Sequence, residues 1–182
     1  MDYTIRKASL DDREAIERLI AESARGLSQG DYSGEQIEAA IATVFGVDTD
    51  LIVDGTYFVA EGSESLVGCG GWSKRRTLFG GDQYGKRDSN ELDAQTEPAR
   101  IRAFFVHPKF ARKGIGRALL AKCETEAAAY GFRSLELMAT LPGVKLYRSC
   151  GYTSGGQLEL ELASGVKLEL VPMKKALVVE KV

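Results

Sequence analysis

The stretch that most constrains this chain is RIRAFFVHPKFARKGIGRALL, residues 100–120. It opens as an extended run in which Ile101, Ala103 and Phe105 point one way and Phe104 and Val106 the other. Apolar residues on both faces require a central strand covered from both sides. Pro108 marks the end of that strand, because proline has no N–H to give to a ladder. The chain then passes Arg112, Lys113, Gly114 and Gly116 and enters a helix with Ile115, Leu119, Cys123 and Ala127 on its buried face. The glycines let backbone come close to a ligand. The free N–H groups and the positive dipole end of the helix face any anion held there, with Arg112, Lys113 and Arg117 adding full charges. The unit reads as an anion site beside an apolar wall, and an ordinary glycine turn with solvated cations fits the same letters. Two phosphate motifs do not fit. GIGRALL lacks the third glycine of a dinucleotide fingerprint and the acidic residue that follows it, and GxxxxGK followed by Ser or Thr is absent.

The flanking sequence supplies a layered α/β frame. A first strand at 3–8 precedes a helix capped by Ser9 with Asp12, carrying Ile16, Leu19, Ile20 and Ser23 on one face. Ser33 and Gln36 cap a second helix with Ile37, Ala40, Ile41 and Val44 as its stripe. Strands at 56–61 and 65–73 form a hairpin, and the three glycines of the second strand point to a bulge or a close ligand approach. Residues 75–99 are polar, Gly-rich and aperiodic, a length of loop that is often functional or mobile. A strand at 134–139 follows the central helix, then a short helix stopped by Gly151. QLELELASGVKLEL closes the frame. A three-residue Ala-Ser-Gly loop with Gly165 left-handed sets Leu162 opposite Val166, Leu160 opposite Leu168, Leu158 opposite Leu170 and Glu161 opposite Lys167. The order is βααβββαβαββ, read as a single domain over 1–182.

Bulk properties exclude several classes. The chain has 182 residues, 44 % hydrophobic, with a formal net charge of −2, so a core forms and no basic stripe for nucleic acid is indicated. Cys69, Cys123 and Cys150 show no CxxC spacing and read as reduced apolar fillers. No apolar run approaches the roughly 20 residues of a membrane span, and no signal peptide is visible. The reading is a cytoplasmic protein without membrane or nucleic-acid partners, in which the terminal hairpin offers a surface for a homodimer.

FFVHPKFARKGIGRALL, with LYRSCGY further on, resembles the acyl-CoA-binding core of the GNAT superfamily of N-acetyltransferases. The family's Gln/Arg-x-x-Gly-x-Gly/Ala falls on Ala111 to Gly116, with Ala111 departing at the first position. The resemblance implies a mixed α/β (α+β) sheet of about seven strands and four helices, with the strands at 100–106 and 134–139 splayed. It implies acetyl-CoA as co-substrate and an amine acceptor. The pyrophosphate would lie on the amides of Arg112, Lys113, Gly114, Ile115, Gly116, Arg117 and Ala118, and the pantetheine arm beside the backbone of Phe104, Phe105 and Val106. An amide near Val106 would polarise the thioester carbonyl. Tyr147, in YRSCGY, would stabilise the leaving thiolate as a positioned donor, since a phenol of pKa ~10 does not protonate a thiolate of pKa ~8.5 downhill. The family's frequent Asn is Leu141 here. The base is open among Glu136, Asp82, Glu91, Glu97 and a chain of waters, while His107 reads as a turn residue. A non-catalytic acyl-CoA-binding module is the alternative on the same fold.

Overall fold

The computed structural model describes residues 2–178. Strands β1 (Thr4–Lys7), β2 (Tyr57–Glu61), β3 (Leu66–Ser73), β4 (Ala99–Val106), β5 (Ser134–Thr140), β6 (Thr153–Ser154), β7 (Leu158–Glu161) and β8 (Lys167–Ala176) form an eight-stranded sheet. The order is β1-β2-β3-β4-β5-β8-β6, with β7 also on β8. All pairs are antiparallel except β4 with β5. Helices α1 (Arg13–Leu27), α2 (Gly34–Thr43) and α3 (Thr49–Val53) cover one face, and α4 (Ile115–Tyr130) and α5 (Val144–Ser149) the other. The two-residue period of a strand divides the core accordingly. Tyr57 and Val59 pack under α1 and α2, while Phe58 and Ala60 pack under α4.

The sheet has one more strand and the helical layers one more helix than the sequence pattern indicates. β6 is two residues long and α3 is five, both too short to carry a period. The cap of α3 is nonetheless orthodox, with the Asp48 carboxylate accepting from Asp50 N–H at 3.1 Å. The cap of the second helix and the terminal hairpin act as read. The Ser33–Gln36 capping box is reciprocal, at 3.1 and 2.8 Å. The terminal hairpin pairs Leu158 with Leu170, Leu160 with Leu168 and Glu161 with Lys167, and Gly165 has φ +79°.

β4 departs from strict alternation. Its register with β3 shifts between Cys69 and Gly71, so that Ala103 and Phe104 together oppose Gly70, and Ala103 has φ +53°. This is a β-bulge, an extra residue that re-aims the strand. Ile101 consequently shares a face with Phe104 and Val106 rather than with Ala103 and Phe105. The β3 glycines serve this irregularity and the packing around it. A Cβ at Gly70 would stand 2.7 Å from the Phe104 ring, and one at Gly68 would meet Ile115 of α4 at 2.7 Å.

The same strand opens the sheet. β4 and β5 pair only at Ala99–Leu135 and Arg100–Glu136. Residues 99–102 of β4 are otherwise mostly buried, whereas residues 103–106 are only partly covered because β5 has diverged from them. The long connection from β3 to β4 has little regular structure beyond the bridge Arg75–Glu91, yet it is tied to its surroundings by the Arg75–Asp54 and Arg87–Asp48 ion pairs and closed on itself by Arg76–Glu97. No helix among the described residues is long and apolar enough to cross a membrane.

Candidate functional site

At one end of the split lies the glycine loop. Arg112 and Gly114 both take left-handed backbone, φ +62° and +86°. For Arg112 this costs about 1–2 kcal/mol, which the loop accepts to turn its amides outward. The first backbone bond of α4 is Ala118 N–H to Gly114 O, at 3.0 Å. The amides from Arg112 to Arg117 therefore have no backbone acceptor among the described residues, whereas that of Ala118 is committed to the helix. Arg112, Lys113 and Arg117 are exposed around these donors. Lys113 lies over the Phe110 ring, and Arg117 donates to Ser149 Oγ at 3.0 Å. Free amides, a helix N-terminus and three cations form a surface suited to a polyanion.

Gly116 has a second reason to be glycine. A Cβ there would stand 3.0 Å from Leu146 on α5 and 3.7 Å from Val106. The close approach of α4 to α5 and to the end of β4 thus rests on this residue. Gly114 has open space around it, and its requirement is the left-handed φ alone.

Further along the split, β4 and β5 enclose a cleft lined by Phe104, Phe105, Met138, Thr140 and Tyr147, with residues 78–81 of the long connection and Val44, Phe45 and Gly46 closing the far wall. The far wall depends on glycine contacts. Gly81 N–H donates to Val44 O at 2.8 Å, and a Cβ on Gly81 would come within 2.7 Å of Gly46 backbone. Tyr147 projects from α5 with its ring edge-on to Phe104, centroids 6.3 Å apart, and packed on Gly143. Burial pushes its phenol well above the ordinary tyrosine range, so the hydroxyl stays protonated. The structure thus brings together Phe104, Phe105 and Tyr147 in the cleft, and Val106 and Gly116 at the glycine loop.

The four candidate carboxylates do not join them. Glu136 pairs with Arg100. Asp82 accepts from Thr49 N–H at 2.9 Å, Glu91 pairs with Lys74 at 2.7 Å and Glu97 with Arg76 at 2.6 Å. None lines the cleft. His107 caps a turn, accepting from Lys109 N–H, and its other nitrogen lies 3.2 Å from Glu22. Cys150 is partly exposed beside Ser149 Oγ, while Cys69 and Cys123 are buried fillers.

A charged cluster behind the far wall escaped the sequence reading. Asp48 is 1 % exposed and lies 2.7 Å from both Arg87 and Arg102. Arg87 donates to Oδ1, whereas Arg102 approaches Oδ2 without an N–H aligned on it, an ion pair rather than a directed bond. Both arginines then donate to Gly80 O, at 3.0 and 2.6 Å, and Arg102 also to Thr77 O at 2.9 Å. Burial lowers the Arg102 pKa and the Asp48 charge opposes that. One carboxylate thereby fixes the segment that closes the cleft. The available signal was Arg102 itself, a cation within the apolar run of a central strand, which demands a buried partner.

A model of the acetyltransferase (GNAT) family matches residues 17–152, well over half of the chain. The chain belongs to this family. Solved structures of the same fold include a GCN5-related N-acetyltransferase from Rhodopseudomonas palustris, with 19 % identity, 97 % of each chain covered and a TM-score of 0.72. A putative acetyltransferase, YncA, from Salmonella typhimurium with its cofactor acetyl-CoA shares 20 % identity over 100 % of this chain and 98 % of that one, TM-score 0.65. The PaiA N-acetyltransferase from Thermoplasma acidophilum, in complex with coenzyme A, shares 18 % identity over 97 % and 99 %, TM-score 0.65. No curated protein matches significantly.

Proposed function

We propose that the whole chain works as one acetyl-CoA-dependent N-acetyltransferase acting on a primary amine. The observation that carries this is a juxtaposition: the free amides of Arg112 to Arg117 follow the end of β4, and Tyr147 lines the cleft where β4 and β5 part. The amides, Arg112, Lys113 and Arg117 hold the pyrophosphate of the co-substrate. The freed edge of β4 at Phe104, Phe105 and Val106 receives its extended arm as a strand would be received. The amine nitrogen attacks the thioester carbonyl, a C–N bond forms, and the C–S bond breaks with its electron pair going to sulfur. The nitrogen loses a proton to water, and Tyr147 donates a hydrogen bond to the departing thiolate.

Titration calorimetry with acetyl-CoA, CoA, ATP and NAD tests the reading. Acetyl-CoA and CoA should bind, and Arg112→Ala combined with Arg117→Ala should weaken both at least tenfold. Failure of acetyl-CoA to bind would end the proposal.

A further inference from the structure

The cleft facing Tyr147 also has a chemistry that selects the acceptor, and this inference rests on the transferase reading above. Its walls are Phe45, Phe79, Phe104, Phe105, Met138 and Leu170. The rings are packed against neighbours, Phe45 on Phe105 at 5.6 Å and Phe79 on Tyr84 at 5.1 Å between centroids. Among the side chains that line it, those able to ionise are Arg102 and Tyr147. The first is a cation already matched by Asp48 and engaged with two carbonyls, and the second is a phenol held neutral by burial. No carboxylate lines this wall among the described residues.

Such a surface treats the two ends of an amine substrate differently. The attacking nitrogen must be neutral, and an apolar site favours the neutral form of an amine. A second ammonium on the same molecule would have to leave water for a wall that offers rings, one neutral threonine hydroxyl and a guanidinium, but no anion. Ring faces return about 0.5–2 kcal/mol to a cation, less than the several kcal/mol that desolvating an unpaired ion costs. A hydrophobic group fills the same space favourably.

We infer that the acceptor is a small primary amine carried on an aryl or branched alkyl group, with no second cationic centre, and that polyamines are selected against.

Thiol release measured with 2-phenylethylamine, 1,4-diaminobutane and spermidine tests this. The expected result is a kcat/KM at least tenfold higher for 2-phenylethylamine than for either polyamine. Phe79→Glu places a carboxylate on the wall and should move the ratio of phenylethylamine to diaminobutane at least tenfold toward the diamine. If that variant does not fold, judged by its melting curve, the parent panel decides alone. Equal or higher kcat/KM for the polyamines in the parent, or an unchanged ratio in a folded Phe79→Glu, overturns the inference. Acetyl-CoA binding with none of the three amines acetylated overturns it while leaving the transferase reading intact. Loss of acetyl-CoA binding itself removes both.

Discussion

Tyr147 and Asp48 are both buried polar residues, and their surroundings set opposite demands. The Tyr147 phenol is kept neutral by burial, the state that the proposed donor role needs. Tyr147→Phe keeps the ring against Phe104 and should lower kcat by about 10²–10⁴-fold with acetyl-CoA KM nearly unchanged, the range for a positioned proton donor. Because burial raises its pKa above the ordinary value of ~10, the protonated form persists as pH rises through that value. The kcat profile of the parent should therefore show no descending limb up to pH 10, and a limb there that vanishes in the Phe variant would show that burial does not hold the hydroxyl protonated over this range. Asp48 is an ion that the fold cannot leave out, since two guanidinium groups converge on it. Asp48→Asn should destabilise by about 3–5 kcal/mol, a drop on the order of 10 °C in melting temperature. At temperatures where the variant remains folded, its KM for the acceptor should rise severalfold while that for acetyl-CoA holds. Arg87→Lys should show the same KM split with a smaller stability loss, which a purely structural cluster would not produce.

The glycine loop owes its shape to two elements at once, and a variant series separates them. Gly116→Val should lower both melting temperature and CoA affinity, because the new side chain meets Leu146 of α5. Adding Leu146→Ala makes room and should restore the melting temperature. CoA affinity that stays at least tenfold weaker in the double variant assigns Gly116 to ligand approach, and affinity that recovers with stability assigns it to helix packing alone. That double role was half legible from the letters: GIG before an apolar stripe announces a tight helix entry, but not which element leans on it. The elements that could be read are those with redundant signals. The terminal hairpin has alternation, a turn glycine and a charge pair that agree on one register, and α2 has both halves of its capping box. The bulge at Ala103 could not be read, because Ala-Phe-Phe-Val alternates as well in a flat strand as in a bulged one. The carboxylates of 75–99 look free in sequence, whereas in space Asp82 is claimed by Thr49 and Arg13 from a distant segment and Glu91 and Glu97 by Lys74 and Arg76 across the same connection. Tyr147 was found because family resemblance marked its position, not because its pattern differs from that of a packed aromatic.

At the scale of the molecule, the sheet is two halves joined along a short seam. β1 to β4 form one half and β5 with β6, β7 and β8 the other, and the strands that meet between them pair over two residues before parting. The separation proposed to admit the co-substrate leaves the two halves joined by only two residue pairs, so what secures its closed end matters. Arg100 and Glu136 lie directly opposite each other there and form an ion pair, with the arginine side chain 12 % exposed. This arrangement explains Glu136 as a clamp and removes the reason to regard it as a base. Glu136→Gln keeps the shape and deletes the charge, leaving a mostly buried guanidinium with Glu97 as its remaining nearby carboxylate. The expected loss is about 1–3 kcal/mol, at about 2–4 °C of melting temperature per kcal/mol for a chain of this size. Once the protein is held well below its melting temperature, kcat should stay within about threefold of the parent, whereas removing a general base lowers it by about 10²–10⁴-fold. Melting curves and steady-state kinetics on the same preparation decide between the two. A hundredfold fall in kcat at unchanged stability would return Glu136 to the chemistry, and would mean that the seam is held by the backbone pairs and α4 without help from this side chain.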